Sequence, residues 1–161
     1  MTICSWGQAT DPLEFGEFCR RLPPLTVPST PVTPLETAAL IVGAGPAGLF
    51  QVFELGLLGI KSHVVDTLQH PGGQCAELYP DKPIYDIPAL PACGAQELVE
   101  RLLQQIAPMG PVFHFGEEVA ELAKRDDGRF FLRTSAGTEF LARTVVIAAG
   151  LGSFQPRRLG V

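Results

Sequence analysis

The chain has 161 residues, 46% of them hydrophobic and 18% charged, with a formal net charge of -5 at pH 7. That is enough chain and enough apolar content for one domain with its own core. The negative balance argues against a nucleic-acid binder that relies on overall positive charge, but not against phosphate ligands, which backbone N–H groups can hold. Cys4, Cys19, Cys75 and Cys93 form no Cys-x-x-Cys and no Cys/His spacing suited to zinc. No apolar run approaches the roughly 20 residues of a membrane span, and the N-terminus lacks the basic start and apolar stretch of a signal peptide. The expectation is a soluble, cytoplasmic chain with no nucleic-acid and no membrane partner.

Residues 1–36 differ from the rest. Pro23, Pro24, Pro28, Pro31 and Pro34 crowd their end. Proline fixes φ and removes a donor, so residues 22–36 read as an extended linker, and residues 12–21 as at most one short helix. The stretch is expected to be a largely disordered extension, with residues 37–161 as the folded domain. Ala38 to Val42 is a short apolar run bounded by Gly43, as a buried parallel strand would be. A glycine-rich turn follows, then an apolar helix from Ala47 to Leu58 stopped by Gly59. His63 to Asp66 is the next strand. Strand, tight turn, helix and strand within about 30 residues is the length of a βαβ unit.

Residues 67–93 are irregular and rich in Gly and Pro. A long aperiodic stretch inside a compact domain is usually functional. Gly94 to Ala107 is an amphipathic helix with Leu98, Val99, Leu102, Leu103 and Ile106 on one face, stopped by Pro108 and Gly110. Strands then follow at Val112–Phe115, Val119–Lys124, Arg129–Thr134 and Glu139–Leu141, with Asp127-Gly128 as a hairpin turn. Thr144 to Ala149 is a last buried strand ending in Gly150. The fold expected is α/β: a Rossmann-like domain with a parallel sheet, helices and a small antiparallel meander.

Two motifs carry chemistry. The first is Gly43-Ala44-Gly45-Pro46-Ala47-Gly48, which follows a strand, opens a helix and precedes a strand ending in Asp66. Gly43 permits the tight turn, Gly45 lets backbone approach a pyrophosphate, and Gly48 lets the helix pack closely on the sheet. The helix N-terminus offers N–H groups and positive dipole to phosphates, and Pro46 costs nothing in a first turn. Asp66 can accept ribose hydroxyls, and its charge repels a 2′-phosphate, so FAD or NAD suits the site better than NADP. The plainer reading, a structural glycine turn with an incidental acid, leaves this context unexplained.

The second motif is Pro71-Gly72-Gly73-Gln74-Cys75-Ala76-Glu77-Leu78-Tyr79-Pro80. Paired glycines allow backbone to approach a flat ring or phosphate, Gln74 offers donor and acceptor, and Tyr79 can stack on an aromatic ring. The plainer reading is a surface loop with a packed tyrosine. Residues 40–49, 72–88 and 145–157 together resemble the ferredoxin–NADP reductases of the thioredoxin-reductase-like type, within the pyridine nucleotide-disulfide oxidoreductases. The run from Gly72 to Pro88 is the most specific part.

The resemblance implies a flavoenzyme moving electrons between NADPH and ferredoxin or flavodoxin, homodimeric, with FAD as cofactor and NADP bound in a second domain. It places FAD contacts on Gly43, Gly45, Pro46, Ala47, Gly48, Asp66, Gln74, Tyr79, Val119 and Phe154, and needs no acid–base catalyst or metal. The second glycine fingerprint of that family does not occur in residues 1–161, so the chain alone is expected to be inactive. A thioredoxin reductase or other flavoprotein disulfide reductase is the nearest rival, and a non-catalytic FAD- or nucleotide-binding module is a rival of another class. Cys75 sits where disulfide reductases carry the first of two cysteines, but position 80 is proline, so Cys75 reads as a small buried hydrophobe. His63 and His114 read as half-exposed sheet residues and His70 as a solvated loop histidine.

Overall fold

The computed structural model describes residues 33–152. The elements are β1 (Leu35–Val42), α1 (Pro46–Leu57), β2 (Ser62–Asp66), α2 (Gln74–Glu77), β3 (Pro83–Ile84), β4 (Cys93–Gly94), α3 (Ala95–Ile106), β5 (Val112–Phe115), β6 (Val119–Lys124), β7 (Phe130–Thr134) and β8 (Glu139–Ile147). The main sheet has the order β5-β2-β1-β8-β7-β6, and β3 and β4 form a separate two-stranded pair. The pairs β5-β2, β2-β1 and β1-β8 are parallel, whereas β8-β7 and β7-β6 are antiparallel. This is the expected Rossmann-like arrangement with a meander attached.

Both faces of β1 and β2 are covered, which is why these strands read as continuous apolar runs rather than alternating ones. Ile41 and Val64 point to one face and pack with Leu49 and Val52 of α1 and Leu98, Val99, Leu102 and Ile106 of α3. Burying each such side chain contributes on the order of 1.5–3 kcal/mol. Leu40 and Val65 point to the other face and pack with Leu132, Phe140 and Ala142 of the meander. Phe140 in β8 lies 4.9 Å from the ring of His114 in β5. A flat sheet would hold strands three places apart at about 14 Å. The meander end of β8 therefore coils over the second face.

The apolar run suggests that β1 starts at Ala38 and that residues 139–149 hold two strands. Instead β1 starts at Leu35 and β8 is unbroken from Glu139 to Ile147. The extra length comes from backbone pairing, Leu35 with Phe140 and Thr37 with Ala142, which polar and exposed residues can make as well as apolar ones. Pro34, lacking an N–H, stands immediately before this ladder. The hairpin turn at Asp127-Gly128 is present, with Gly128 at φ 85°. The stretch 67–93 is not wholly irregular, since it holds α2, β3 and β4. Among the described residues no helix is long and apolar enough to cross a membrane.

Candidate dinucleotide site

The carboxyl ends of β1, β2 and β8 open onto one cleft of about 450 Å³. From β1 the chain passes to β2 on one side and later to β8 on the other, and open α/β sheets place ligands at such a reversal. The Gly43–Gly48 turn forms the floor. Gly43 has φ +106°, and a Cβ there would overlap the Ala148 carbonyl at the end of β8, so only glycine fits. A Cβ at Gly48 would overlap the Gly43 carbonyl oxygen and sit 3.4 Å from Ile41 Cγ2, which fixes how closely α1 approaches β1. Gly45 has only Gly73 Cα nearby, at 4.0 Å, so its backbone faces open space. Pro46 is the first residue of α1. The N–H groups of Ala47 and Gly48 follow it in the first turn, where no helical acceptor exists.

Asp66, 8% exposed, is tied into this turn. One carboxylate oxygen accepts the Ala44 N–H at 2.6 Å and the other the Leu68 N–H at 2.8 Å. The acid that sequence reasoning reserves for ribose therefore also holds the glycine turn to the end of β2. Asp66 lines the cleft, and a carboxylate that accepts two N–H groups has lone pairs left for a further donor.

The second glycine motif closes over the first. The Gly72 N–H donates to the Ala44 carbonyl at 2.9 Å. Gly73, at φ 54° and ψ -135°, would place a Cβ 3.1 Å from Gly45 Cα. Gln74 and Cys75 follow on α2 and line the cleft. Burial pushes the Cys75 thiol up from its ordinary value, and the neighbouring Cys93 adds to that, so the thiol is poorly nucleophilic.

The far wall is Glu117-Glu118-Val119 at the start of β6. The Glu117 N–H donates to the Asp66 carbonyl at 3.0 Å and the Gly116 N–H to the Leu68 carbonyl at 2.9 Å. Among the described residues, the side chains lining the cleft include three carboxylates, Asp66, Glu117 and Glu118, and no Lys, Arg or His.

The residues expected at the site mostly come together. Gly43, Gly45, Pro46, Ala47, Asp66, Gln74 and Val119 all line the cleft, and Gly48 supports it from behind. Tyr79 is not among the lining residues. It is 53% exposed, with the Lys82 ammonium 5.2 Å from its ring centre. Phe154 lies outside the described residues. Sequence reasoning missed Glu117 and Glu118 as cleft residues and the Ala148-Ala149-Gly150 backbone as the third side. The strand-ending glycine at 150, matching Gly43, was the available signal for the latter. His63 and His114 are half-buried strand residues as expected, and they are paired: His63 Nδ1 and His114 Nε2 lie 2.9 Å apart with stacked rings. His70 is exposed in its loop, as expected, and its Nε2 meets Glu77 at 2.9 Å.

Residues 41–106 match the family described as NAD(P)-binding Rossmann-like domain. The chain is 69% identical over 128 residues to a protein named ferredoxin–NADP reductase 2 from Cupriavidus pinatubonensis, and 67% identical over 128 residues to a ferredoxin–NADP reductase from Albidiferax ferrireducens. Over these residues the chain is similar in sequence to ferredoxin–NADP reductases. The alignments cover 80% of it but only 35% and 36% of those two reductases, so it spans about a third of their length. Among solved structures it resembles the atypical thioredoxin reductase TRi from Desulfovibrio vulgaris Hildenborough, with a TM-score of 0.59 and 27% identity over 78% of this chain and 38% of that one. Cyclohexanone monooxygenase from Rhodococcus sp. Phi1 matches with a TM-score of 0.65 at 23% identity, over 79% of this chain and 28% of that one. That likeness shows the fold alone. The ferredoxin–NADP reductase relatives thus share sequence with this chain where the solved neighbours share chiefly its architecture.

Proposed function

We propose that this chain forms the FAD-binding portion of a flavoprotein oxidoreductase that moves electrons between NADPH and ferredoxin or flavodoxin. The observation that carries the reading is the 69% identity to a ferredoxin–NADP reductase over 128 residues. The cleft fits the cofactor. Its phosphate-facing surface is backbone and helix N-terminus, and its carboxylates suit a ribose with free hydroxyls rather than a 2′-phosphate.

Gly45, Ala47 and Gly48 would hold the pyrophosphate through N–H groups, with Pro46 setting the first turn of α1. Asp66 would accept from the ribose, and the Val119 backbone would meet the adenine. Gln74, Tyr79 and Phe154 are assigned to the flavin half. FAD, when bound, supplies the chemistry of accepting a hydride and releasing single electrons. The side chains here bind, orient and exclude water, and none is asked to move a proton. The raised pKa of Cys75 disfavours disulfide exchange at that thiol. The FAD-binding domain is read as beginning with β1 at Leu35, two residues before the boundary expected at 36/37. No residue here is assigned to NADPH or to ferredoxin, so turnover belongs to the whole protein, taken as a cytoplasmic homodimer.

Titration with FAD, followed by flavin fluorescence and by competition, tests the reading. FAD should bind and ADP should displace it, whereas adenosine 2′,5′-bisphosphate should compete at least tenfold less well. Absence of FAD binding, or stronger competition by the 2′-phosphorylated nucleotide, would overturn it.

A further inference from the structure

The wall that carries Glu117, Glu118 and Val119 does not stand alone. It is joined to the turn between β7 and β8 by a compact set of hydrogen bonds. Thr134, 3% exposed at the end of β7, donates its hydroxyl proton to Glu117 Oε2 at 2.5 Å. The same hydroxyl oxygen accepts the Thr138 N–H at 3.1 Å. Beside it the Glu118 N–H donates to Ser135 Oγ at 3.0 Å, and the Ser135 N–H donates to the Glu118 carbonyl at 2.7 Å. On its other side Glu117 gives its N–H to the Asp66 carbonyl. A buried hydroxyl thus holds a carboxylate whose backbone is bonded to the strand end carrying Asp66 and adjoins the Glu118–Val119 lining.

We infer that Thr134, which does not itself line the cleft, is a positioning residue for the adenosine half of the bound dinucleotide, acting through Glu117. The inference rests on the proposed occupancy of the cleft. A buried hydroxyl that both donates and accepts admits one geometry for its two partners, and the partners here are the cleft wall and the tight turn from Thr134 to Thr138. Removing the hydroxyl leaves the Glu117 carboxylate and the Thr138 N–H without partners at a part-buried site. The wall then shifts against Asp66, whose own carboxylate stays fixed by Ala44 and Leu68. This shift breaks the alignment between the Asp66 carboxylate and the Val119 backbone, which only an adenosine-bearing ligand reads.

Binding of ADP and FAD to the wild-type chain and to Thr134→Val, Thr134→Ser and Glu117→Gln, with circular dichroism to confirm folding, tests this. Valine keeps the shape of threonine and removes the hydroxyl, and should weaken ADP and FAD by a similar factor of about ten. Serine restores the hydroxyl and should bring both back to within twofold of wild type, which a loss of packing alone would not do. If Thr134→Val does not fold, Glu117→Gln carries the test. It replaces a charge-assisted acceptor by a weaker neutral one and should weaken both ligands about threefold. Unchanged ADP affinity in a folded Thr134→Val or Glu117→Gln chain, or failure of serine to rescue a folded valine variant, would overturn the inference alone. Failure of the wild type to bind ADP or FAD would overturn the reading of the cleft first.

Discussion

Two glycines of α1 allow the site's close packing to be measured against an internal control. Gly48→Ala and Gly56→Ala make the same chemical change in the same helix, and each gains up to about 1 kcal/mol of helix propensity. They differ in what the new methyl meets. At Gly48 it meets the Gly43 carbonyl oxygen, with the carbonyl carbon at 3.0 Å. That carbonyl cannot move freely, because the Gly43 N–H is bonded to Val65 at 2.8 Å and Gly43 also touches Ala148. At Gly56 the methyl meets Met109 Sδ and Cγ, which can turn aside, and Met109 Cβ at 2.9 Å, which is relieved by a shift of a few tenths of an ångström between α1 and the short turn that carries Met109. Overpacking costs about 1–3 kcal/mol. The fixed backbone at Gly48 puts that position at the upper end, a net loss of about 2 kcal/mol. Gly56→Ala should fall within about 1 kcal/mol of wild type. In thermal melts, at roughly 3–6 °C per kcal/mol for a domain of this size, Gly48→Ala should lower Tm by about 6–12 °C. It should also weaken ADP binding at least tenfold, since the displaced carbonyl belongs to the phosphate turn. A Gly48→Ala chain as stable as wild type with unchanged ADP affinity would refute the claim that this contact sets the turn.

Asp66→Asn should cost about 2–3 kcal/mol in urea denaturation before any ligand is added, because an amide NH2 would face one of the two backbone N–H groups that the carboxylate now accepts. Equal stability would show that the acid serves ligand alone. Gly73→Ala places a side chain at φ 54°, ψ -135°, a strain on the order of 1–3 kcal/mol. It should weaken FAD severalfold, and unchanged affinity would show that the second glycine motif does not close on the first. Burial first, and His114 second, hold His63 below its ordinary value of 6.5. The unfolded chain then binds the extra proton first, so stability should fall as pH drops through about 6.5 and keep falling until the lowered folded value is passed. His63→Gln should flatten that slope in denaturation midpoints measured from pH 7 to 5, and an unchanged slope would remove the pair from the acid response.

The parts of this molecule written in local chemistry were legible in its sequence. Gly43, Gly45, Gly48 and Asp66 announced themselves by spacing, and α3 by its apolar face, because turn sterics and helical periodicity act over a few residues. What was hidden depends on contacts between residues far apart in the chain. Nothing near Glu117 says that Thr134 will hold its carboxylate, or near His63 that His114 will stack on it 51 residues later. The extra length of β1 was hidden for the same reason. Leu35 to Thr37 join the sheet through backbone pairing with β8, and a ladder is indifferent to the side chains from which a sequence is read. Asp66 was only half legible: its place was evident, its hold on Ala44 and Leu68 was not.

The central claim is that a dinucleotide lies in this cleft with its pyrophosphate on the first turn of α1. Mapping backbone amide shifts by NMR as FAD is titrated in tests it most directly. The account predicts the largest perturbations at Gly45, Ala47 and Gly48, with a second group at Asp66, Thr67 and Val119, and the same pattern without the flavin-side changes when ADP replaces FAD. Saturating FAD that leaves those amides unmoved, or that shifts residues elsewhere on the sheet instead, would contradict it.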